Sequence, residues 1–367
     1  MTGFRLTKIA EALPATVPFV GPETQERARG QRFNARLGAN ENVFGPSPSA
    51  VRAMAETPQW MYGDPESHDL REALAAHLET TTDHIMIGEG IDGLLAYLVR
   101  LFVSAGDHVV TSDGAYPTFN YHVAGFGGIL HKVPYKDDFE DLSALFERAK
   151  EVSAKLVYLA NPDNPMGSVH KGTDIATAMA KLPKNTLLVL DEAYIECAPE
   201  SSALTLPYDD PRVIRLRTFS KAYGLAGARV GYAIGAPALI AAFNKVRNHF
   251  GMNRSAQEGA LAALQDQTWL RSVLARIASS RLRISRIAVD CGLKPLPSAT
   301  NFVAIDCLRD DVFAKQVLQE MIVDGVFVRM PLVAPQNRCI RVSCGTPADL
   351  DMLAEVLPVA LRRAENS

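Results

Sequence analysis

The residues best suited to chemistry form one short block, RTFSKAYGLAGARVG, which spans 217–231. A lysine that is desolvated enough to lose its proton can attack an aldehyde carbon. Lys221 follows two hydroxyl residues, Thr218 and Ser220, and Arg229 comes eight residues after it. Hydroxyls and the planar guanidinium group bind phosphate well. The block therefore predicts a nucleophilic lysine beside a phosphate site, although a solvated lysine on a glycine-rich turn could have the same local sequence.

A second glycine-rich segment, Gly88-Glu-Gly-Ile-Asp-Gly93, lies between a predicted strand and a predicted helix. It matches G-x-G-x-x-G, and Asp113 follows Gly93 by 20 residues, so an NAD-dependent oxidoreductase is one interpretation. A helix N-terminus, however, offers free N–H groups and a positive dipole end to any phosphate. The motif alone therefore predicts phosphate binding rather than a particular nucleotide.

Further polar residues follow other apolar segments. Tyr116, Asn164 and Asp191 each come after a predicted strand. In an open α/β sheet, ligands bind at the carboxyl ends of the strands, so these side chains are expected to converge with Lys221. Each also has a structural alternative: Asp191 could cap a helix, Tyr116 could fill a core, and Asn164-Pro-Met-Gly could be only a turn.

The segments that must position these residues alternate between strands and helices. The predicted strands span 85–88, 108–112, 156–160, 186–191, 213–218 and 230–235. Short, apolar strands separated by helices indicate a mostly parallel sheet that helices cover on both faces. Helices are predicted at 68–78, with Leu70, Leu74 and Leu78 on one face, and at 94–103, ending before Gly106. The fold class predicted is α/β.

The remaining chain suggests two more units. Helices at 255–265 and 269–288, strands at 301–306, 326–330 and 339–343, and a last helix predict a smaller α+β domain. Pro14, Pro18 and Pro22 interrupt the start of the chain. At 367 residues the chain is long enough for two cores. We therefore expect an N-terminal arm (1–40), a large domain (41–255) and a small C-terminal domain (256–367).

The composition excludes several classes of protein. A formal net charge of -3 argues against a general nucleic-acid binder, and no apolar run is long enough for a membrane helix. The first residues lack the pattern of a secretory signal, so the cytoplasm is the expected location. The five cysteines form no C-x-x-C pair and the eight histidines no H-x-x-x-H pair, so neither a disulfide framework nor a metal site is expected.

The lysine block resembles that of the class I/II (fold-type I) aminotransferases, which use pyridoxal 5′-phosphate (PLP). The resemblance implies that Lys221 carries PLP as a Schiff base and that Arg229, with Thr218 and Ser220, binds its phosphate. Asp191-Glu-Ala-Tyr194 and Asn164-Pro-Met-Gly also match family motifs, in the family's order.

Those motifs imply further roles around the cofactor ring. Asp191 would pair with the pyridinium nitrogen, Tyr194 and Asn164 would bond the phenolic oxygen, and Tyr116 would stack on the ring. A carboxylate that keeps the ring nitrogen protonated lets the ring withdraw electrons from the substrate Cα. Lys221 is then the natural base for the proton on that carbon.

The family also accounts for the glycine-rich segment, which the oxidoreductase interpretation leaves unconnected to the lysine block. In these enzymes the loop forms a phosphate cup. The resemblance implies that Gly90, Ile91 and Asp92 donate backbone N–H groups to the PLP phosphate.

Within the superfamily, the chain most resembles the histidinol-phosphate aminotransferases. The matching segments span 38–48, 62–74, 297–303 and 340–346, besides the lysine block. In that family a tyrosine at the position of Tyr62 reaches the neighbouring subunit's cofactor phosphate, which implies a homodimer with shared sites. Arg341 or Arg329 would bind the substrate's anionic group, and Asn40 and Phe44 would lie near the substrate.

Five positions depart from that family's usual residues and leave the amino donor open. Val43 replaces a proline, Phe44 a tyrosine, Ile91 a serine, Gly93 a glutamate and Gly63 a proline. Losing a hydroxyl changes selectivity more than chemistry. The expected reaction is amino transfer to 2-oxoglutarate from histidinol phosphate or a related amine. An aromatic or other amino acid as donor, and decarboxylation of a phosphorylated amino acid, remain alternatives.

Overall fold

The computed structural model describes residues 5–15 and 20–366, so Pro18 lies outside the described residues. The strands are β1 (Ala35–Arg36), β2 (Ile85–Gly88), β3 (His108–Ser112), β4 (Ile129–Val133), β5 (Leu156–Ala160), β6 (Leu187–Asp191), β7 (Val213–Thr218), β8 (Gly231–Ile234), β9 (Lys294–Pro295), β10 (Phe302–Asp306), β11 (Val326–Phe327) and β12 (Cys339–Ser343). The α-helices are α1 (Lys8–Ala12), α2 (Pro22–Arg29), α3 (Pro48–Glu56), α4 (His68–His77), α5 (Gly90–Phe102), α6 (Pro117–Gly125), α7 (Leu142–Glu151), α8 (Gly172–Ala178), α9 (Pro237–Ala242), α10 (Arg254–Gln265), α11 (Gln267–Asp290), α12 (Asp311–Val323) and α13 (Pro347–Glu365).

The large sheet has seven strands in the order β2-β8-β7-β6-β5-β3-β4. The neighbours from β7 to β4 are parallel, and β8 runs antiparallel to both β7 and β2. The predicted α/β class with a mostly parallel sheet is confirmed. The grouping of 230–235 with the parallel strands is wrong, because β8 pairs antiparallel with both of its neighbours in the sheet.

Helices cover both faces of this sheet. Along β5, Leu156 and Tyr158 face a core formed with α5 and α6, whereas Val157 and Leu159 face a core formed with α7 and α8. Side chains alternate between the two faces of a strand, so a strand buried on both faces must be apolar throughout. This explains why these strands were visible in the sequence. The missed edge strand, β4, reads ILHKV and is only partly buried.

A smaller antiparallel sheet, in the order β12-β10-β9, packs against α11, α12 and α13. The end of the expected N-terminal arm belongs to this packing, since Ala35 and Leu37 are buried in the same core and β1 pairs with β11. The predicted strand 326–330 is therefore wrong in extent. Only Val326–Phe327 forms a strand, and its partner is β1 rather than a strand of the antiparallel sheet.

No helix of the described ranges is both long enough and apolar enough to span a membrane. Within those ranges, no cluster of three or more histidine, cysteine, aspartate or glutamate side chains could hold a metal ion.

The helix α5 joins the glycine-rich segment to the core, so its packing can be tested directly. Leu98 is fully buried, whereas Leu282 on α11 is 62% exposed. We expect Leu98→Ala to lower the free energy of unfolding by about 2–5 kcal/mol, because it leaves a cavity in a close-packed core. The matched change Leu282→Ala should alter it by less than about 0.5 kcal/mol. Urea unfolding at fixed protein concentration measures both, and equal effects would contradict this core assignment.

Candidate active site

A cavity of about 340 Å³ opens at the carboxyl ends of the parallel strands. The side chains predicted to converge there do so. Thirteen of the sequence-predicted residues line the cavity: Asn40, Ile91, Asp92, Tyr116, Asn164, Asp191, Tyr194, Thr218, Ser220, Lys221, Arg229, Arg329 and Arg341. Three predicted residues, Tyr62, Phe44 and Gly90, do not line it.

Lys221 lies on the loop after β7, and its side chain is hydrogen-bonded to a residue of the N-terminal segment. Its Nζ donates to the carbonyl oxygen of Asn40 at 3.1 Å and lies 5.6 Å from the centre of the Tyr194 ring. Burial lowers the pKa of Lys221 to about 8, and the charges of Arg341 and Arg229 add to this effect. A larger fraction of neutral amine is therefore present near neutral pH than for a solvated lysine, as a nucleophile requires.

Asp191 ends β6 with its carboxylate at the cavity. Its oxygens accept from the Tyr158 hydroxyl at 2.6 Å and from the Ala193 N–H at 2.9 Å. Burial raises the pKa of Asp191 to about 6, although these two hydrogen bonds oppose the rise. A buried carboxylate bonded only to neutral donors provides a counter-charge for a cation in the cavity.

Tyr158 was missed by sequence reasoning. It lies inside the apolar strand β5, where it looks like core filling. The available signal was its phenol, because a buried tyrosine hydroxyl normally needs a hydrogen-bond partner.

The phosphate-binding features predicted from the two glycine-rich segments meet at one place. The guanidinium of Arg229 donates to Ser220 Oγ at 3.2 Å and pairs with Asp92 at 3.3 Å. The other oxygen of Asp92 accepts from the Tyr116 hydroxyl at 3.0 Å. Asp92 lies in the first turn of α5, whose free N–H groups face the same region. The helix dipole and the arginine together favour a phosphate here.

Gly90 contributes through its lack of a side chain, although it does not line the cavity. Its φ is +75°, and a Cβ at this position would lie 2.4 Å from Arg229 Nη2. Glycine adopts this conformation without strain and lets the guanidinium approach the start of α5.

The topology rejects the dinucleotide interpretation of the same motif. In a dinucleotide fold, the glycine loop links two parallel strands of one βαβ unit. Here β2 lies at the edge of the sheet beside the antiparallel strand β8. The next strand along the chain, β3, is not its neighbour, because four other strands lie between the two in the sheet. The NAD alternative is therefore wrong.

Asn40 links the cavity to the small sheet. Its side chain donates to the Tyr194 hydroxyl at 3.0 Å, and Ser343 Oγ contacts both its N–H and its Oδ1 at 2.9 Å. Its carbonyl also accepts from Asn301 Nδ2 at 3.1 Å. Asn301 and Ser343 were not predicted from the sequence, because only their contacts with the distant Asn40 place them at the site.

The two candidate anion-binding arginines have different surroundings. Arg341 donates to Asn164 Oδ1 and lies 5.1 Å from the Phe302 ring. Burial lowers the pKa of Arg341 to about 10. Arg329 donates to the Val20 carbonyl at 2.8 Å, and burial lowers its pKa as well. A buried guanidinium without a salt-bridge partner in the described residues favours an anionic ligand at Arg341.

Tyr62 and Phe44 lie elsewhere in the single chain. Tyr62 is 80% exposed, and its ring is 5.3 Å from that of Phe250. Phe44 lies under the guanidinium of Arg276, at 5.2 Å. One chain alone therefore does not bring either residue to its own cavity.

The role of Gly90 gives a direct test of phosphate binding. We expect Gly90→Ala to weaken PLP binding at least about ten-fold, because the added Cβ displaces Arg229 and strains a left-handed backbone position. Gly227→Ala is the matched control, since a Cβ there meets no neighbouring atom. Absorbance titration of each apoprotein with PLP measures the dissociation constants. Equal affinities for the two variants would contradict this arrangement.

Comparison with known proteins agrees with this geometry. A family model described as aminotransferase class I and II matches residues 35–357. Histidinol-phosphate aminotransferase from Moorella thermoacetica is 33% identical over 92% of this chain and 89% of the relative. Histidinol-phosphate aminotransferase 1 from Mesorhizobium japonicum is 34% identical over 94% of this chain and 95% of the relative.

Two solved structures share the fold. Histidinol-phosphate aminotransferase from Sinorhizobium meliloti, in complex with PLP, is 53% identical over 99% of both chains, with a TM-score of 0.95. Aspartate aminotransferase from Thermus thermophilus, with maleate, is 20% identical over 96% of this chain and all of that chain, with a TM-score of 0.77, and supports the fold alone. The matched segment contains the lysine block, Asp191 and both arginines, and the chain belongs to the class I and II aminotransferases.

Proposed function

We propose that this aminotransferase moves the amino group of histidinol phosphate to 2-oxoglutarate, with PLP held on Lys221. Family membership confirms the predicted transaminase and its cofactor. The choice of donor is supported chiefly by the 53% identity, over 99% of both chains, to a histidinol-phosphate aminotransferase.

The residues of the cavity fit the cofactor. The start of α5, Ser220 and Arg229 form a cradle for a phosphate, and a side chain at Gly90 would fill part of it. The buried carboxylate of Asp191 suits a protonated ring nitrogen, and Lys221 has the lowered pKa that carbonyl attack needs. When bound, PLP supplies an aldehyde for the amine and a ring that withdraws electrons from the substrate Cα.

The protein's own residues then bind, orient and move protons. Arg341, with Arg329 beside it, would bind the anionic group of the substrate. Asp191 would hold a proton on the ring nitrogen, and Tyr194 and Asn164 would donate to the phenolic oxygen. Lys221 Nζ would take the proton from the substrate Cα and deliver it to C4′ of the cofactor, because no other lysine among the described residues lines the cavity. Tyr116 would cover the face of the ring.

The donor assignment is tested by mixing the PLP form with a panel of amines. Histidinol phosphate should convert the cofactor to pyridoxamine phosphate at least about ten-fold faster than phenylalanine, tyrosine or histidine, since those three lack a phosphate for the arginines. Lys221→Ala should abolish turnover, whereas Lys184→Ala, which changes an exposed lysine, should not.

Visible absorbance and mass analysis after borohydride reduction measure conversion and covalent attachment. Faster conversion of an aromatic amino acid would replace the proposed donor, and carbon dioxide release would favour the decarboxylase. Wild-type turnover by Lys221→Ala would exclude the lysine assignment.

We also propose a homodimer in which Tyr62 reaches the neighbouring cavity. Its 80% exposure leaves the phenol free to do so. Trp60, two residues before it, and Phe250, whose ring lies 5.3 Å from that of Tyr62, are exposed as well, at 85% and 59%. Aromatic side chains grouped on a surface are typical of interfaces.

Subunit mixing tests the shared site. Tyr62→Ala and Lys221→Ala should each be weakly active or inactive. Refolding the two variants together at equal amounts should restore about a quarter of wild-type activity, because half of the dimers then hold one intact site. Mixing Lys221→Ala with wild type is the control for subunit exchange. No recovery despite exchange would show that each chain completes its own site.

A further inference from the structure

Two buried carboxyl groups lie behind the turn that carries Asn164, and the proposed mechanism uses neither. Glu140 is 1% exposed and Asp163 is 2% exposed. Burial raises the pKa of both groups, and the charge of Asp163 raises that of Glu140 further. Two adjacent carboxylates cannot both ionise easily in a low-dielectric interior, so the pair is expected to carry a single charge.

The partners of Glu140 suit a neutral acid. Its Oε1 accepts from the Ala160 N–H at 2.9 Å, and its Oε2 lies 2.5 Å from Ser112 Oγ. A hydroxyl can accept as well as donate, so protonated Glu140 keeps both contacts by donating to Ser112. No arginine or lysine forms an ion pair with Glu140 among the described residues.

The partners of Asp163 suit a charged group. One oxygen accepts from the Met166 N–H and the other from the Tyr135 hydroxyl, both at 2.8 Å. A protonated acid would lose acceptor capacity toward one of these donors. The positive charge of Arg341 also lowers the pKa of Asp163, and Asp163 in turn raises that of Arg341. The single charge therefore belongs on Asp163.

Asp163 also fixes the turn at the cavity wall. Its carboxylate closes the turn from Asp163 to Met166, and its backbone bonds both Gly167 and Ser168 at 3.1 and 2.8 Å. Asn164 lies within this turn, and its Oδ1 accepts from Arg341 Nη1. Asp163 thus affects Arg341 twice, through the position of Asn164 and through its charge.

We propose that Asp163 is a positioning residue that holds the Asn164 turn and the guanidinium of Arg341 in the arrangement that binds the substrate's anionic group. This inference rests on the proposed function only in giving Arg341 the anion. The titratable and charged groups that face Asp163 are Tyr135, Glu140 and Arg341, and of these Tyr135 and Arg341 favour its charged form.

The test measures binding of glutarate, which carries both carboxylates of 2-oxoglutarate but has no reacting oxo group. We expect Asp163→Asn in the PLP-bound enzyme to raise the dissociation constant of glutarate about ten-fold or more, as loss of a charged hydrogen-bond acceptor does. For the wild type, that constant should increase as the pH falls and Asp163 takes up a proton. For Asp163→Asn the dissociation constant should stay high and change little with pH, because the substituted side chain takes up no proton. Isothermal titration calorimetry over a pH series gives these values.

Two further variants separate positioning from general damage. Glu140→Gln matches the neutral acid in shape and polarity, so glutarate affinity and its pH dependence should remain those of the wild type. Tyr135→Phe removes one hydrogen bond to the charged carboxylate, which raises the pKa of Asp163, so the loss of affinity should begin at higher pH. Tyr135→Phe keeps the test available if Asp163→Asn does not fold.

Several results would overturn the inference: wild-type affinity and pH dependence in Asp163→Asn or Tyr135→Phe, an equal loss in Glu140→Gln, or no glutarate binding by the wild type. Because glutarate binding needs no turnover, a failure of the proposed donor would show in the amine panel and leave these measurements interpretable.

Discussion

The site depends on the position of Asn40, which connects three parts of the chain. Its carbonyl accepts from Lys221 and Asn301, and its side chain bonds Tyr194 and Ser343. Lys221 and Tyr194 follow strands of the large sheet, whereas Asn301 directly precedes β10 and Ser343 ends β12, both strands of the small sheet. Asn40 holds a left-handed conformation, with φ of 55°, that these bonds stabilise. Lys221 is therefore oriented by a segment about 180 residues away, and both sheets must fold for the site to exist.

Burial of charge is the second constraint, and it acts in opposite directions on neighbouring groups. Desolvation lowers the pKa of Lys221 and Arg341 and raises that of Asp191. Each shift shows that burial disfavours the charged form of the group in the free protein. A bound partner of opposite charge would favour that charged form again. A phosphate, a ring cation and a substrate anion would compensate these charges.

The sequence predicted the strands that are buried on both faces, because their apolar residues are continuous. It failed where burial is partial or where pairing is non-local. The edge strand β4 contains polar residues, and the short β1–β11 pair joins residues nearly 300 apart. The direction of β8 was also missed, since hydrophobicity does not encode strand direction. The glycine-rich motif illustrates the same limit: its sequence fits a dinucleotide site, and only its place at the edge of the sheet excludes one.

The sequence by itself determined the family, the cofactor and the identity of most cavity residues, because these follow from residue types in a fixed order after strands. Tertiary structure alone placed Asn301, Ser343 and Tyr158 at the site, since each acts through a contact with a distant segment. It also put Asp163 behind Asn164 and Arg341, where burial beside Glu140 raises the pKa of both carboxyl groups. Such properties depend on the local dielectric and on neighbours in space, neither of which a linear sequence specifies.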